Sequence, residues 1–137
     1  MTMVIDVSIA MAWLLPDEHS DAADDVLRQL RATAASVPSL FWHEARNACL
    51  MAERRGRLAK GEAPASMVQL RRLPLNDAGS GTDHVVLTLA AAHGLSAYDA
   101  AYLALAIAEA APLATTDGKL ADAARRENVI VLGPLGD

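Results

Sequence analysis

Four acidic residues stand where their carboxylates could gather into one site. Asp6 ends the apolar run 3–6, and Asp117 closely follows a second apolar run, so both lie at the ends of predicted strands. Glu44 and Asp99 lie near the starts of two predicted helices. Clustered carboxylates repel each other strongly unless a cation lies among them. Oxygen ligands suit hard divalent cations such as Mg²⁺ or Mn²⁺, and these cations promote phosphodiester hydrolysis.

Each acid also has a purely structural interpretation. Asp6 and Asp117 each precede a predicted helix, and capping the helix is as good an explanation as binding a metal. Asp99 follows Ser96 at the spacing of a capping box, which by itself favours a cap. Glu44 lies at the edge of an apolar stripe, where most glutamates are simply solvated, and Asn47 is close enough along the helix to hydrogen-bond it. The metal interpretation therefore depends on all four acids meeting.

The elements that would bring them together alternate along the chain. We predict strands at 3–6, 113–115 and 129–132, a strand or turn at 37–38, an edge strand at 73–75, and helices at 9–15, 20–34, 40–55, 64–72, 83–93, 98–111 and 119–127. The helix at 98–111 is apolar on nearly every face, which predicts a central, buried position. Strands separated by helices predict an α/β sandwich around a mainly parallel sheet. Sites in such sheets form at the carboxyl ends of the strands.

Composition narrows the class of protein. The 137 residues predict a single domain, 1–137, with a core of aliphatic residues because aromatics make up only 4%. The lone cysteine, Cys49, is expected in the core, and we expect a cytoplasmic protein without a secretory signal or membrane span. The net charge of −5 argues against holding nucleic acid by charge alone, but not against a metal-dependent nuclease.

A basic run follows Glu44 along the predicted helix at 40–55 and beyond it. It comprises Arg46, Arg54, Arg55, Arg57 and Lys60. A solvated helix face is one explanation, and a track for RNA phosphates, made by Arg46, Arg54 and Arg55, is the other. The four histidines, in contrast, show no metal-ligand spacing.

With these residues in view, the sequence resembles the PIN-domain ribonucleases, and within them the VapC-type toxins of bacterial toxin–antitoxin pairs. Five segments carry the resemblance, in the family's order and at fitting separations: VIDVS at 4–8, WLLPDE at 13–18, WHEARNA at 42–48, LSAYDAAYLALA at 95–106 and LATTDGKL at 113–120. Each segment alone is a weak signal, and the stretch 61–81 carries little of the family pattern.

The resemblance implies a PIN-like three-layer α/β/α sandwich and hydrolysis of RNA with Mg²⁺ or Mn²⁺. The implied catalytic acids are Asp6, Glu44, Asp99 and Asp117, with Ser8, Asn47 and Thr115 in support. We expect Asp6, Asp99 and Asp117 to bind the metal directly and Glu44 to act partly through water. Homodimerisation and inhibition by a cognate antitoxin protein are also implied, and the apolar helices with Trp13 offer a candidate face for either contact.

Other classes of protein fit the sequence less well. A haloacid-dehalogenase-like phosphatase needs Asp-x-Asp after its first strand, where this chain has Asp6-Val7-Ser8. A receiver domain needs an acid pair near its first strand and a phosphoacceptor aspartate after its third, and neither is found. The remaining alternative is a catalytically silent PIN-like interaction module, which metal binding would distinguish from an enzyme.

Overall fold

A computed structural model describes residues 2–136. In that range the strands are β1 (Met3–Ile5), β2 (Ala35–Val37), β3 (Leu75–Asp77), β4 (Leu113–Ala114) and β5 (Val131–Leu132). The helices are α1 (Val7–Leu14), α2 (Asp21–Gln29), α3 (Leu40–Arg54), α4 (Glu62–Arg71), α5 (Asp83–His93), α6 (Ala97–Ala108) and α7 (Gly118–Arg126). None of these helices combines the length and apolar character needed to span a membrane.

The five strands form one parallel sheet in the order β3-β2-β1-β4-β5. β1 is the middle strand, and it pairs with β4 in the register Val4 to Leu113 and Ile5 to Ala114. This arrangement confirms the predicted α/β/α sandwich with a parallel sheet. Because all strands run the same way, the residues that follow β1 and β4 emerge at the same edge of the sheet.

Burial explains why these short segments form the sheet and its central helix. Every residue of β1 is at most 2% exposed, as expected for a parallel strand covered on both faces. Helix α6 packs against β1, β2 and β4, and six of its residues are buried. The prediction of a central apolar helix is therefore confirmed.

Several predicted boundaries are wrong, each for a local reason. Helix α1 begins at Val7, two residues early, because Asp6 serves as its N-cap residue. Helix α2 ends at Gln29, not at 34, and the chain leaves it through turns. Helix α6 ends at Ala108, and Ala110 then adopts a left-handed conformation that no helix continues. β3 is the predicted edge strand, but it starts after Pro74, at Leu75.

A smaller apolar cluster lies apart from the main core, between α1, α3 and the start of α4. It contains Met11, Leu15, Cys49, Ala52, Leu58 and Ala63. Cys49 is completely buried there, which confirms its prediction as a core residue. Trp13 is engaged within the chain, since its Nε1–H donates to the Ala23 carbonyl at 2.7 Å and ties α1 to α2.

Gly133, directly after β5, adopts φ +98° and lies close to Ile9 and to the backbone of Thr115. A Cβ at this position would come within 2.9 Å of Ile9 Cδ1 and 3.4 Å of the Thr115 carbonyl oxygen. We predict that Gly133→Ala lowers the free energy of unfolding by about 2 kcal/mol, from backbone strain and crowding together.

Gly94→Ala is the matched control, because Gly94 also has positive φ but a Cβ there would meet only Lys119 Nζ, at 3.9 Å. It should cost about 1 kcal/mol. Urea denaturation followed by circular dichroism measures both, and equal losses would contradict the steric argument.

Candidate metal-binding site

Asp6 is the most buried of the four predicted acids, at 7% exposure. Although Asp6 is the N-cap residue of α1, its side chain makes no capping hydrogen bond. Its Oδ2 instead accepts hydrogen bonds from two hydroxyls, Ser8 Oγ at 2.8 Å and Thr115 Oγ1 at 2.7 Å. The capping explanation therefore does not account for this carboxylate.

Asp117 does cap its helix, but with one oxygen only. Its Oδ1 accepts from the backbone N–H groups of Lys119 and Leu120, at 2.9 and 3.1 Å. Its own N–H donates to Thr115 Oγ1 at 3.0 Å. The cap and a second role are therefore compatible, because Oδ2 takes no part in the capping bonds.

Asp99 and Glu44 lie at the same edge of the sheet because of the direction in which their helices run. Helix α6 leads into β4, so its first turn, with Asp99, lies at the carboxyl end of the strands. Helix α3 begins shortly after β2 ends, so its early turns, which include Glu44, lie near that edge as well. Ser96 Oγ accepts from the Asp99 N–H at 3.0 Å, which confirms the predicted cap of α6.

Glu44 is half-buried rather than solvated. The Tyr102 hydroxyl donates to Glu44 Oε1 at 2.6 Å and so joins α6 to α3. Asn47, the predicted partner, is exposed, and within residues 2–136 its side chain makes no hydrogen bond to Glu44. Sequence reasoning missed Tyr102; the signal was its place one turn after Asp99, which puts both on the same side of α6.

The charges of the four acids act on one another. Burial is the main cause that raises the pKa of Asp6, Glu44 and Asp99 above their usual ranges. Repulsion raises these pKa values further: Asp117 acts on Asp6, and both Asp6 and Asp99 act on Glu44. No salt bridge within residues 2–136 includes any of the four, although Lys119 lowers the pKa of Asp99 in part. The four acids thus form one electrostatic cluster with a deficit of positive charge.

The donor set of this cluster fits a hard divalent cation such as Mg²⁺ or Mn²⁺. All donors are carboxylate oxygens, the preferred ligands of hard cations. In residues 2–136, no three of the four acids bring ligand oxygens within 4.8 Å of one another. A hard cation held among these acids would therefore keep several waters as ligands, as Mg²⁺ usually does.

A second acidic group does reach that mutual distance. It consists of His19, Asp21 and Asp24, near the start of α2. His19 and Asp21 are exposed, and their side chains pair at 3.1 Å. Because solvent screens the repulsion between exposed charges, these side chains can lie close together without a bound ion.

The predicted RNA-binding arginines do not form one track. Arg46 makes a 2.9 Å hydrogen bond with His43 Nδ1. Arg54 and Arg55 are exposed at the other end of α3, and adjacent helical residues point about 100° apart. The structure therefore separates the three side chains.

Comparisons with known proteins agree with this fold. The PIN-domain family model matches residues 3–126. Ribonuclease VapC3 of Pyrobaculum aerophilum is 31% identical over 126 residues, which cover 89% of this chain and 94% of that protein. The crystal structure of PAE2754 from Pyrobaculum aerophilum matches with a TM-score of 0.71 and 24% identity, over 90% of this chain and 79% of that one. VapBC2 from Rickettsia felis, bound to a promoter DNA fragment, matches with a TM-score of 0.66 and 19% identity, over 96% and 97%. The chain belongs to the PIN-domain family.

Proposed function

We propose that this chain is a metal-dependent endoribonuclease, the toxin of a bacterial toxin–antitoxin pair, which hydrolyses RNA phosphodiester bonds. The observation that carries the proposal is the cluster of Asp6, Glu44, Asp99 and Asp117, which repel one another at one sheet edge without a salt-bridge partner in residues 2–136. The relative named as a ribonuclease supports the same activity.

Asp6, Asp99 and Asp117 would hold the Mg²⁺ or Mn²⁺. Such an ion supplies positive charge that activates water and stabilises the charge developing on a phosphodiester. Ser8 and Thr115 orient Asp6 by binding a single oxygen, Oδ2, so that neither hydroxyl occupies Oδ1. The helix cap orients Asp117 in the same way through Oδ1.

Glu44 would act on water rather than on the ion. Its Oε1 is held by Tyr102, while Oε2 makes no hydrogen bond within residues 2–136. Burial and the neighbouring charges raise the pKa of Glu44, which strengthens it as a proton acceptor near neutral pH. Oε2 is then the atom that takes a proton from the attacking water.

The partners follow from the same proposal. RNA is the substrate, with Arg46 and Arg55 as candidate phosphate contacts, and the protein acts in the cytoplasm. A cognate antitoxin is proposed as its partner, because solved structures of the same fold include a toxin–antitoxin complex from Klebsiella pneumoniae, with a TM-score of 0.61 and 17% identity. A homodimer is proposed beside it, from the resemblance to the VapC-type toxins. A catalytically silent PIN-like module is the alternative, and it predicts neither metal binding nor cleavage.

Asp99→Asn tests the activity directly. It removes a charge from the cluster but keeps the size of the side chain, so we expect loss of Mg²⁺- or Mn²⁺-dependent cleavage of a mixed RNA pool. Asp21→Asn is the matched control, since it removes an acid from the exposed group near α2, and it should cleave normally. Binding of Mn²⁺ by calorimetry separates the outcomes: a folded wild-type protein that neither binds Mn²⁺ nor cleaves would favour the silent module.

Asp6→Asn tests how much folding stability is lost by burying an ionised carboxylate in the cluster. Burial raises the pKa of Asp6 in the folded state, so its contribution to stability is full at low pH and is lost as pH rises through that raised value. We therefore expect a higher melting temperature for Asp6→Asn at neutral pH with chelator, and no advantage at a pH below the usual aspartate range. Mn²⁺ should raise the melting temperature of the wild type more than that of the variant. A variant less stable in chelator at neutral pH would contradict this explanation.

Tyr102→Phe tests the positioning of Glu44. The change removes one hydroxyl and leaves the buried ring, so the fold should persist while Glu44 loses its partner. We expect kcat to fall roughly ten-fold, the usual scale for a supporting partner, with a smaller change in KM. Unchanged kcat in a folded variant would show that Tyr102 acts only in packing.

A further inference from the structure

A cleft of about 240 Å³ opens between α1 and the second half of α3. It meets the acid cluster at Ser8 and Thr116, because Thr116 N–H donates to Ser8 Oγ and Ser8 donates to Asp6. Three residues of the smaller apolar cluster, Met11, Leu15 and Ala52, form part of its lining. The cleft thus continues from the acid cluster over an apolar wall.

Helix α3 links the acid cluster to the cationic part of this cleft. Arg55 follows Glu44 by eleven positions, which is about three helical turns, so the two lie on nearly the same face and roughly 16 Å apart along the axis. Arg55 N–H still bonds to the Met51 carbonyl, so the helical geometry extends to this residue. Ala48 and Met51 lie between them on that face and line the cleft.

Among the arginines that line this cleft, Arg55 is available to bind an anionic ligand. Arg57 also lines it, but its guanidinium donates to Asp17 at 2.9 Å and to Glu18 at 3.0 Å. The Arg55 side chain is exposed and makes no hydrogen bond or ion pair within residues 2–136. Arg54 lies outside the cleft lining, about 100° away around the helix.

We propose that this cleft receives the single-stranded RNA beside the scissile phosphate, with Arg55 binding a phosphate further along the strand. The inference rests on the proposed ribonuclease function and assigns the path of its substrate. A guanidinium matches phosphate geometry, and an apolar wall suits bases or riboses that have left a helix. A local cation is needed because the chain carries a net charge of −5.

The test compares Arg55→Ala with Arg54→Ala, two neighbouring arginines that carry the same charge. Both changes are made in the full chain with Asp99→Asn, so that bound RNA is not cleaved. Binding of a fluorescein-labelled single-stranded RNA of mixed sequence is measured by anisotropy at several salt concentrations in Mg²⁺. Loss of one phosphate contact should reduce the slope of log K against log salt by about 0.7 in Arg55→Ala, with no change in Arg54→Ala. Arg55→Lys should retain most of the slope.

The outcomes separate this proposal from the one on which it rests. Equal slopes for the two alanine variants, or no measurable RNA binding, would overturn the proposed path. Cleavage of an RNA pool by the protein with an intact Asp99 is measured in parallel. If that cleavage occurs while the slopes are equal, the ribonuclease function stands and the strand follows another surface.

Discussion

Asp6 and Thr115 lie 109 positions apart in the chain, yet the threonine hydroxyl reaches the Asp6 carboxylate at 2.7 Å. The contact exists because β1 pairs in parallel with β4, and the Asp6 N–H extends that pairing by donating to the Ala114 carbonyl at 3.0 Å. Asp117 follows two residues after Thr115 and is held by the same hydroxyl. One strand pairing therefore determines the relative position of two acids, and α3 and α6 bring the other two to it.

The burial and mutual repulsion of the four carboxylates lower the stability of the folded protein. Burying an ionised carboxylate is costly, and the neighbouring acids add repulsion to that cost. Hydroxyl donors from Ser8, Thr115 and Tyr102 offset part of it. Each of these donors is neutral, so the negative charge that attracts a cation is preserved. A salt bridge to arginine would stabilise the fold better and would remove the property on which metal binding depends.

Helix α3 joins two regions of opposite charge. Its early turns present Glu44 to the acid cluster, and its end presents Arg55 to solvent on nearly the same face. The apolar residues between them belong in part to the smaller core cluster, which fixes α3 against α1. The same packing that stabilises this helix therefore also shapes the cleft beside it.

The sequence alone determined the elements and the identities of the acids. Hydrophobic patterns located four of the five strands and all seven helices of residues 2–136, since the central strands and α6 are apolar and several surface helices are amphipathic. They left β2 open as a strand or a turn and placed the end of α2 five positions too late. The sequence also predicted the cap at Ser96, which depends only on local spacing. Tertiary structure decided what each oxygen does: the Asp6 side chain makes no capping bond, Asp117 caps with one oxygen, and Glu44 bonds to Tyr102 instead of Asn47. It also separated Arg55 from Arg54. These outcomes depend on contacts between residues distant in the chain, and on the face of a helix that packing buries, which no local pattern encodes.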